Sequence, residues 1–197
     1  MLKEATDHLI LYIFIHLKKN KNEKLVALFS MAALLVTTTA CSAQDKAEDK
    51  SKRPSPPAKV SETIASGAVV TIDYSQPSVK GRTIGKDLEP KGTEVWRTGA
   101  NEATVFETSK AVTINGQTLP AGKYSLYSIA GQNEWTIIFN KTWNQWGTEY
   151  KQADDVLRVK AKAGKAGKFA EKMTFTIAKE GTVNLLWGDH QVGFLVK

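Results

Sequence analysis

From residue 69 onward the apolar and polar positions alternate with a period of two. Val69-Val70-Thr71-Ile72-Asp73-Tyr74 is β-branched and aromatic, a composition that suits a half-buried pleated strand. Short segments of the same kind recur at 94–96, 104–106, 112–114, 124–129, 135–139, 156–162, 173–177, 183–187 and 192–196. Turn signals punctuate them. Asn115-Gly116 predicts a tight hairpin, because both central residues of that turn need positive φ. Pro120-Ala121-Gly122 and Gly131-Gln132-Asn133 are further turns, and Ala163-Gly164-Lys165-Ala166-Gly167-Lys168 reads as a flexible basic turn. No stretch of a dozen residues after position 41 carries an apolar stripe at helical spacing. Only 84–88 and 141–153 could form a helical turn. The pattern predicts an all-β fold: a single antiparallel β-sandwich, jelly-roll-like, of about 8–10 short strands. Residues 58–197, about 140 in number, are enough to bury a real core.

The start of the chain has a different grammar. Leu25 to Val36 is an apolar run of about a dozen residues, short for a membrane span of roughly 20. Four lysines precede it (Lys18, Lys19, Lys21, Lys24) and Thr37-Thr38-Thr39-Ala40-Cys41 follows it. A basic segment, a short apolar run and small residues describe a cleaved signal peptide, here over 1–40. Cys41 stands where a lipoprotein signal peptidase would leave a lipid-modified residue, so an exported lipoprotein anchored to the membrane through Cys41 is expected. The alternative is a soluble periplasmic protein cut after Ala43, since Cys41-Ser42-Ala43 is also a small-x-small site. Residues 1–16 hold a second apolar run that a signal peptide does not need, and translation is expected to start near Leu17. Residues 41–57 are polar and then proline-rich, ending Arg53-Pro54-Ser55-Pro56-Pro57, and are expected to be a tether.

Processing changes the charge argument. The whole chain has 27 Lys and Arg against 20 Asp and Glu, a net charge of +7. Residues 1–40 contribute five lysines against three carboxylates, +2, which leaves +5 on the rest. Much of that lies between Lys160 and Lys172 among Ala and Gly, without interleaved aromatics. This is a solvated hairpin rather than a nucleic-acid surface. With His8 and His16 removed, His190 is the only histidine left. A Ser-His-Asp site is disfavoured, because Asp189 is its strand neighbour and points to the opposite face. One His and one Cys make no metal site. Phosphate loops and dinucleotide fingerprints are absent, so no cofactor is expected.

Three polar segments stand out. Tyr74-Ser75-Gln76-Pro77-Ser78-Val79-Lys80-Gly81-Arg82 is the first. Val95-Trp96-Arg97-Thr98-Gly99-Ala100-Asn101-Glu102-Ala103-Thr104 gathers an aromatic, a guanidinium, a carboxamide and a carboxylate around a glycine, a set suited to a polar ligand. The competing structural role is an Arg97–Glu102 pair across a tight loop, with Trp96 in the core. Asn140-Lys141-Thr142-Trp143-Asn144-Gln145-Trp146-Gly147 sets two Trp among amides, which suits a sugar ring, or else caps the open end of the sandwich.

These segments, with Leu119 to Ile129 and Trp135 to Lys141, resemble the family called domain of unknown function 2911, over about residues 53–197. The family's usual Ser-Arg-Pro is Ser75-Gln76-Pro77 here. The resemblance implies an exported β protein of Bacteroidetes-type bacteria and supplies no activity. The expected function is therefore a non-catalytic cell-envelope module for a glycan or a peptide. Its candidate surface comprises Arg82, Trp96, Arg97, Asn101, Glu102, Asn140 and Trp146. The alternative is a hydrolase using Glu102 as acid or base with Arg97 as stabiliser.

Overall fold

A computed structural model describes residues 48–197; the expected signal peptide, Cys41 and the first part of the tether lie outside the described residues. Ten strands follow in chain order: β1 (Pro57–Thr63), β2 (Val69–Ser75), β3 (Val95–Trp96), β4 (Thr104–Thr108), β5 (Val112–Ile114), β6 (Gln117–Leu119), β7 (Gly122–Ile129), β8 (Glu134–Asn140), β9 (Asp155–Ile177) and β10 (Thr182–Leu195). The main sheet runs β1-β2-β4-β7-β8-β9-β10, with β3 pairing β7, and β5–β6 form a small second sheet. All strand pairings are antiparallel. The connectivity is a meander in chain order. The two layers of the sandwich are the two parts of one curled sheet. Beyond β2, Val79 N–H donates to Glu171 O and Met173 N–H to Pro77 O, so the sheet returns to β9 near its own start.

The alternating residues meet inside this curl. Val70, Ile72 and Tyr74 of β2 face Phe106, Leu126, Ile137 and Phe139, and the far wall brings Val159, Met173, Phe175, Leu185 and Phe194. Phe139 has three aromatic neighbours edge-on: Phe106 at 5.1 Å, Phe194 at 6.1 Å and Tyr124 at 6.5 Å. Each such pair contributes about 0.5–1.5 kcal/mol beyond its buried area. The Asn115-Gly116 hairpin forms as expected, with φ of 47° and 87°. Asn115 also fixes the chain end: its Nδ2 donates to Lys160 O, and its Oδ1 accepts from Leu195 N–H.

Three local expectations change. The basic segment 163–168 is not a free turn but part of β9, whose first portion pairs β8 and whose remainder pairs β10. Between the pairs Gly188–Ala170 and His190–Lys165, β9 carries more residues than β10. The bulge holds Ala166, Gly167, Lys168 and Phe169, of which only Ala166 is half-buried, so no alternation of buried and exposed positions marks it. Residues 141–153 form no helix beyond a 3-10 turn at Gln152–Asp154. The last part of the expected tether is bound to the domain: Lys50–Lys52 form a 3-10 turn capped by Asp49, and Gln76 N–H donates to Pro56 O.

One feature of β7 and β8 positions the site. Tyr124 through Ser128 and Ile137 through Asn140 are buried on consecutive positions, so these strands are covered on both faces. The inner face meets the core. On the outer face Ala103, Tyr127 and Ile138 make a second cluster with Val95, Ile129 and Tyr150.

Candidate functional site

The loop after β3 and the loop after β8 pair with each other over this outer face. Ala103 N–H donates to Gln145 O at 3.2 Å, and Gly147 N–H donates to Asn101 O at 3.1 Å, with an antiparallel bridge between Glu102 and Trp146. Gln145 Nε2 donates to the Tyr127 hydroxyl at 2.9 Å, anchoring the second loop to β7. Burial raises the Tyr127 pKa, so the phenol remains protonated at neutral pH. Thr98 and Asn101 take positive φ, 50° and 58°. The tight course of 97–104 is held by Thr98 Oγ1 on Ser128 Oγ and by Thr104 Oγ1 on Thr98 O.

Four of the seven candidate residues come together here: Arg97, Asn101, Glu102 and Trp146. Arg97 lies against Gly147. A Cβ on that glycine would collide with Arg97 Cδ and lie 2.8 Å from Asn101 O, so glycine is required for the loops to close. Arg97 Nε is buried without a hydrogen-bond partner. Trp146 is 45% exposed. Trp143 is also half exposed, with Lys123 Nζ 5.0 Å from its ring centroid, a cation–π contact.

The Arg97–Glu102 pair considered as the competing role does not form. Glu102 is taken by residues of the expected tether: Arg53 Nη1 donates to both its oxygens at 3.0 and 2.9 Å, and Lys50 Nζ donates to Oε1 at 2.8 Å. Arg53 also pairs with Glu48, and Asn101 Nδ2 donates to Ser55 O at 3.0 Å. Partial burial pushes the Glu102 pKa up, but the bonds from Lys50, its own N–H and Arg53 outweigh it and hold the carboxyl at about 2. Such a group is ionised throughout the neutral range. It is a poor proton donor and a weak base, so its surroundings give no support to the acid–base role considered for it.

The other three candidates are not part of this surface: Trp96 and Asn140 are buried, and Arg82 lies elsewhere. Trp96 is 3% exposed; it stacks on Trp187 at 5.5 Å and meets Trp135 edge-on at 6.3 Å. Asn140 is fully buried. Its Nδ2 donates to Lys151 O and Asp155 Oδ1, and its Oδ1 accepts from Thr142 N–H, which satisfies the amide and ties down the second loop. Arg82 is exposed, with Nε on Val79 O and Nη2 on Ser78 O, and lines a different groove beside His190. Tyr127, Lys50 and Arg53 were missed. Tyr127 sits in ordinary strand alternation, and the tether cations gave no signal of a contact some fifty residues away. Among the described residues no three His, Cys, Asp or Glu side chains converge.

Residues 55–196 match the family model described as Protein of unknown function (DUF2911). The chain belongs to this family. The match holds the whole sheet and both paired loops, and it begins after Lys50 and Arg53, the two cations that neutralise Glu102. Comparison with curated proteins and with solved structures gives no match.

Proposed function

We propose that this family member is an exported, non-catalytic binding module of the cell envelope, anchored through a lipid on Cys41, that takes a glycan or a peptide on the Trp146 surface. The carrying observation is Trp146: a large aromatic, 45% exposed, on a loop held by backbone bonds to residues 101–103. A pre-ordered indole offers a stacking face at little entropic cost. Asn144, two residues before Trp146, is exposed, and Arg97 lies against Gly147. Glycan stacking is favoured over the hydrolase reading because Glu102 is neutralised by two cations. The test is a screen of glycans, muropeptides and unmodified peptides against wild type, Trp146→Ala and Glu102→Gln. Binding lost in Trp146→Ala supports the reading. No binding, or equal binding by all three proteins, removes it. Intact mass of the protein recovered from membranes tests the anchor: a diacylated or triacylated Cys41 terminus is expected, and a start at Gln44 would mean soluble export.

A further inference from the structure

A second concavity, of about 490 Å³, opens between the loop after β2, the β7–β8 turn and the bulged part of β9 and β10. Its wall is mostly apolar, with Ile84, Pro90, Ala130, Trp135 and Val192, and its rim carries Lys165, His190 and Asp189. That volume, with apolar walls and a few polar groups, describes a small-molecule pocket. The wall is pre-formed. Trp135 is 5% exposed and is held by Trp96, which stacks on Trp187. The two sides are also built on each other. Gly188 has φ of 59°, and a Cβ there would lie 2.8 Å from Ile84 Cδ1, so glycine lets the loop close against the bulge.

The rim has a charge preference. Lys165, Asp189 and His190 line it together. Asp189 and His190, expected on opposite faces of a regular strand, share this rim at the irregularity between Gly188 and His190. The adjoining groove shares Ile84, Asp189 and His190 and adds Arg82. Among the described residues Lys165 has no carboxylate within ion-pair distance. The larger concavity around Asn115 and Lys160, about 690 Å³, shares Ala163, Gly164 and Lys165 with this pocket but lacks the Trp135 wall and His190. Its Asn115 amide is spent on backbone, and Lys160 pairs with Glu134.

We propose that the pocket binds a small amphipathic anion: a ring or short acyl body against Trp135, with a carboxylate or phosphate at Lys165, His190 and Arg82. This site is separate from the Trp146 surface and does not rest on that reading. The probes are 1-naphthoate and 1-naphthyl phosphate, against uncharged 1-naphthalenemethanol and cationic 1-naphthylmethylammonium. They are titrated into the full chain with the Trp135 indole N–H followed by NMR. Both anions should shift that resonance, and the naphthoate–phosphate ratio identifies the preferred head group. Lys165→Glu should weaken the anions at least about tenfold, while Lys160→Glu, outside the pocket, changes little. No shift at millimolar anion overturns the proposal. So does equal binding of the alcohol or ammonium probe, or an unchanged affinity in Lys165→Glu. Because Lys165 is exposed, its substitution leaves the core intact, and unchanged indole resonances in the free variant verify this.

Discussion

Glu102→Gln isolates the two ion pairs between the N-terminal segment and the loop after β3. In the folded protein the carboxyl titrates at about 2, against 4.5 for a free glutamate. At about 1.4 kcal/mol per pKa unit this corresponds to a ceiling of about 3 kcal/mol. The side chain is 36% exposed, so solvent screening reduces the expected contribution to about 1 kcal/mol. The direction follows from linkage. A carboxyl whose pKa is depressed by folding stabilises fully above its unfolded value, and the stabilisation is lost as pH falls towards the folded value. The window is therefore from about 4.5 down to about 2. At pH 7 Glu102→Gln should lose about 1 kcal/mol in urea unfolding followed by tryptophan fluorescence. At pH 3 more than half of that difference should be gone, since the wild type has by then lost most of its advantage. Raising NaCl to about 1 M at pH 7 should shrink it as well. A difference that is zero at pH 7, or the same at pH 3 as at pH 7, would refute the electrostatic account of this contact.

Two further predictions follow from packing. Trp96→Ala should cost about 3–5 kcal/mol and lower the urea midpoint, because it removes the ring between Trp135 and Trp187. Trp146→Ala should change stability by less than about 0.5 kcal/mol, and equal costs for the two would contradict their assigned places. Gly147→Ala should destabilise by about 1–3 kcal/mol and speed hydrogen exchange at Ala103 and Gly147, whose amides hold the two loops together; unchanged exchange would show that the loops tolerate a side chain there.

The all-β reading was legible because burial on a pleated strand imposes a period of two. Val70, Ile72 and Tyr74 display it, and Asn115-Gly116 announces its turn by the φ it must adopt. The bulge near 165–170 was not legible, since none of its side chains is fully buried and no period of two runs through Ala166 to Ala170. The paired loops were recognised as polar segments, but sequence assigned Trp96 and Asn140 to the ligand surface. Both residue types serve equally well in a core, and only three-dimensional partners decide: two indoles for Trp96, and two acceptors and a donor for Asn140. The competing structural reading paired Arg97 with Glu102 across a tight loop. The partner of Glu102 is instead Arg53, 49 residues away, and no local pattern encodes a contact of that range.

The docked segment also sets a distance. If Cys41 carries the anchor, only Ser42 to Ala47, six residues, separate it from Glu48. At about 3.3–3.6 Å per extended residue they reach roughly 20 Å. Were the chain free as far as Pro57, sixteen residues would reach roughly 55 Å. The docked segment, held through Lys50, Arg53, Ser55 and Pro56 together, would then act as a length regulator that keeps the domain close over the lipid surface. Only release of all these bonds together, and not of the Arg53 contact alone, would more than double the radius the domain can search.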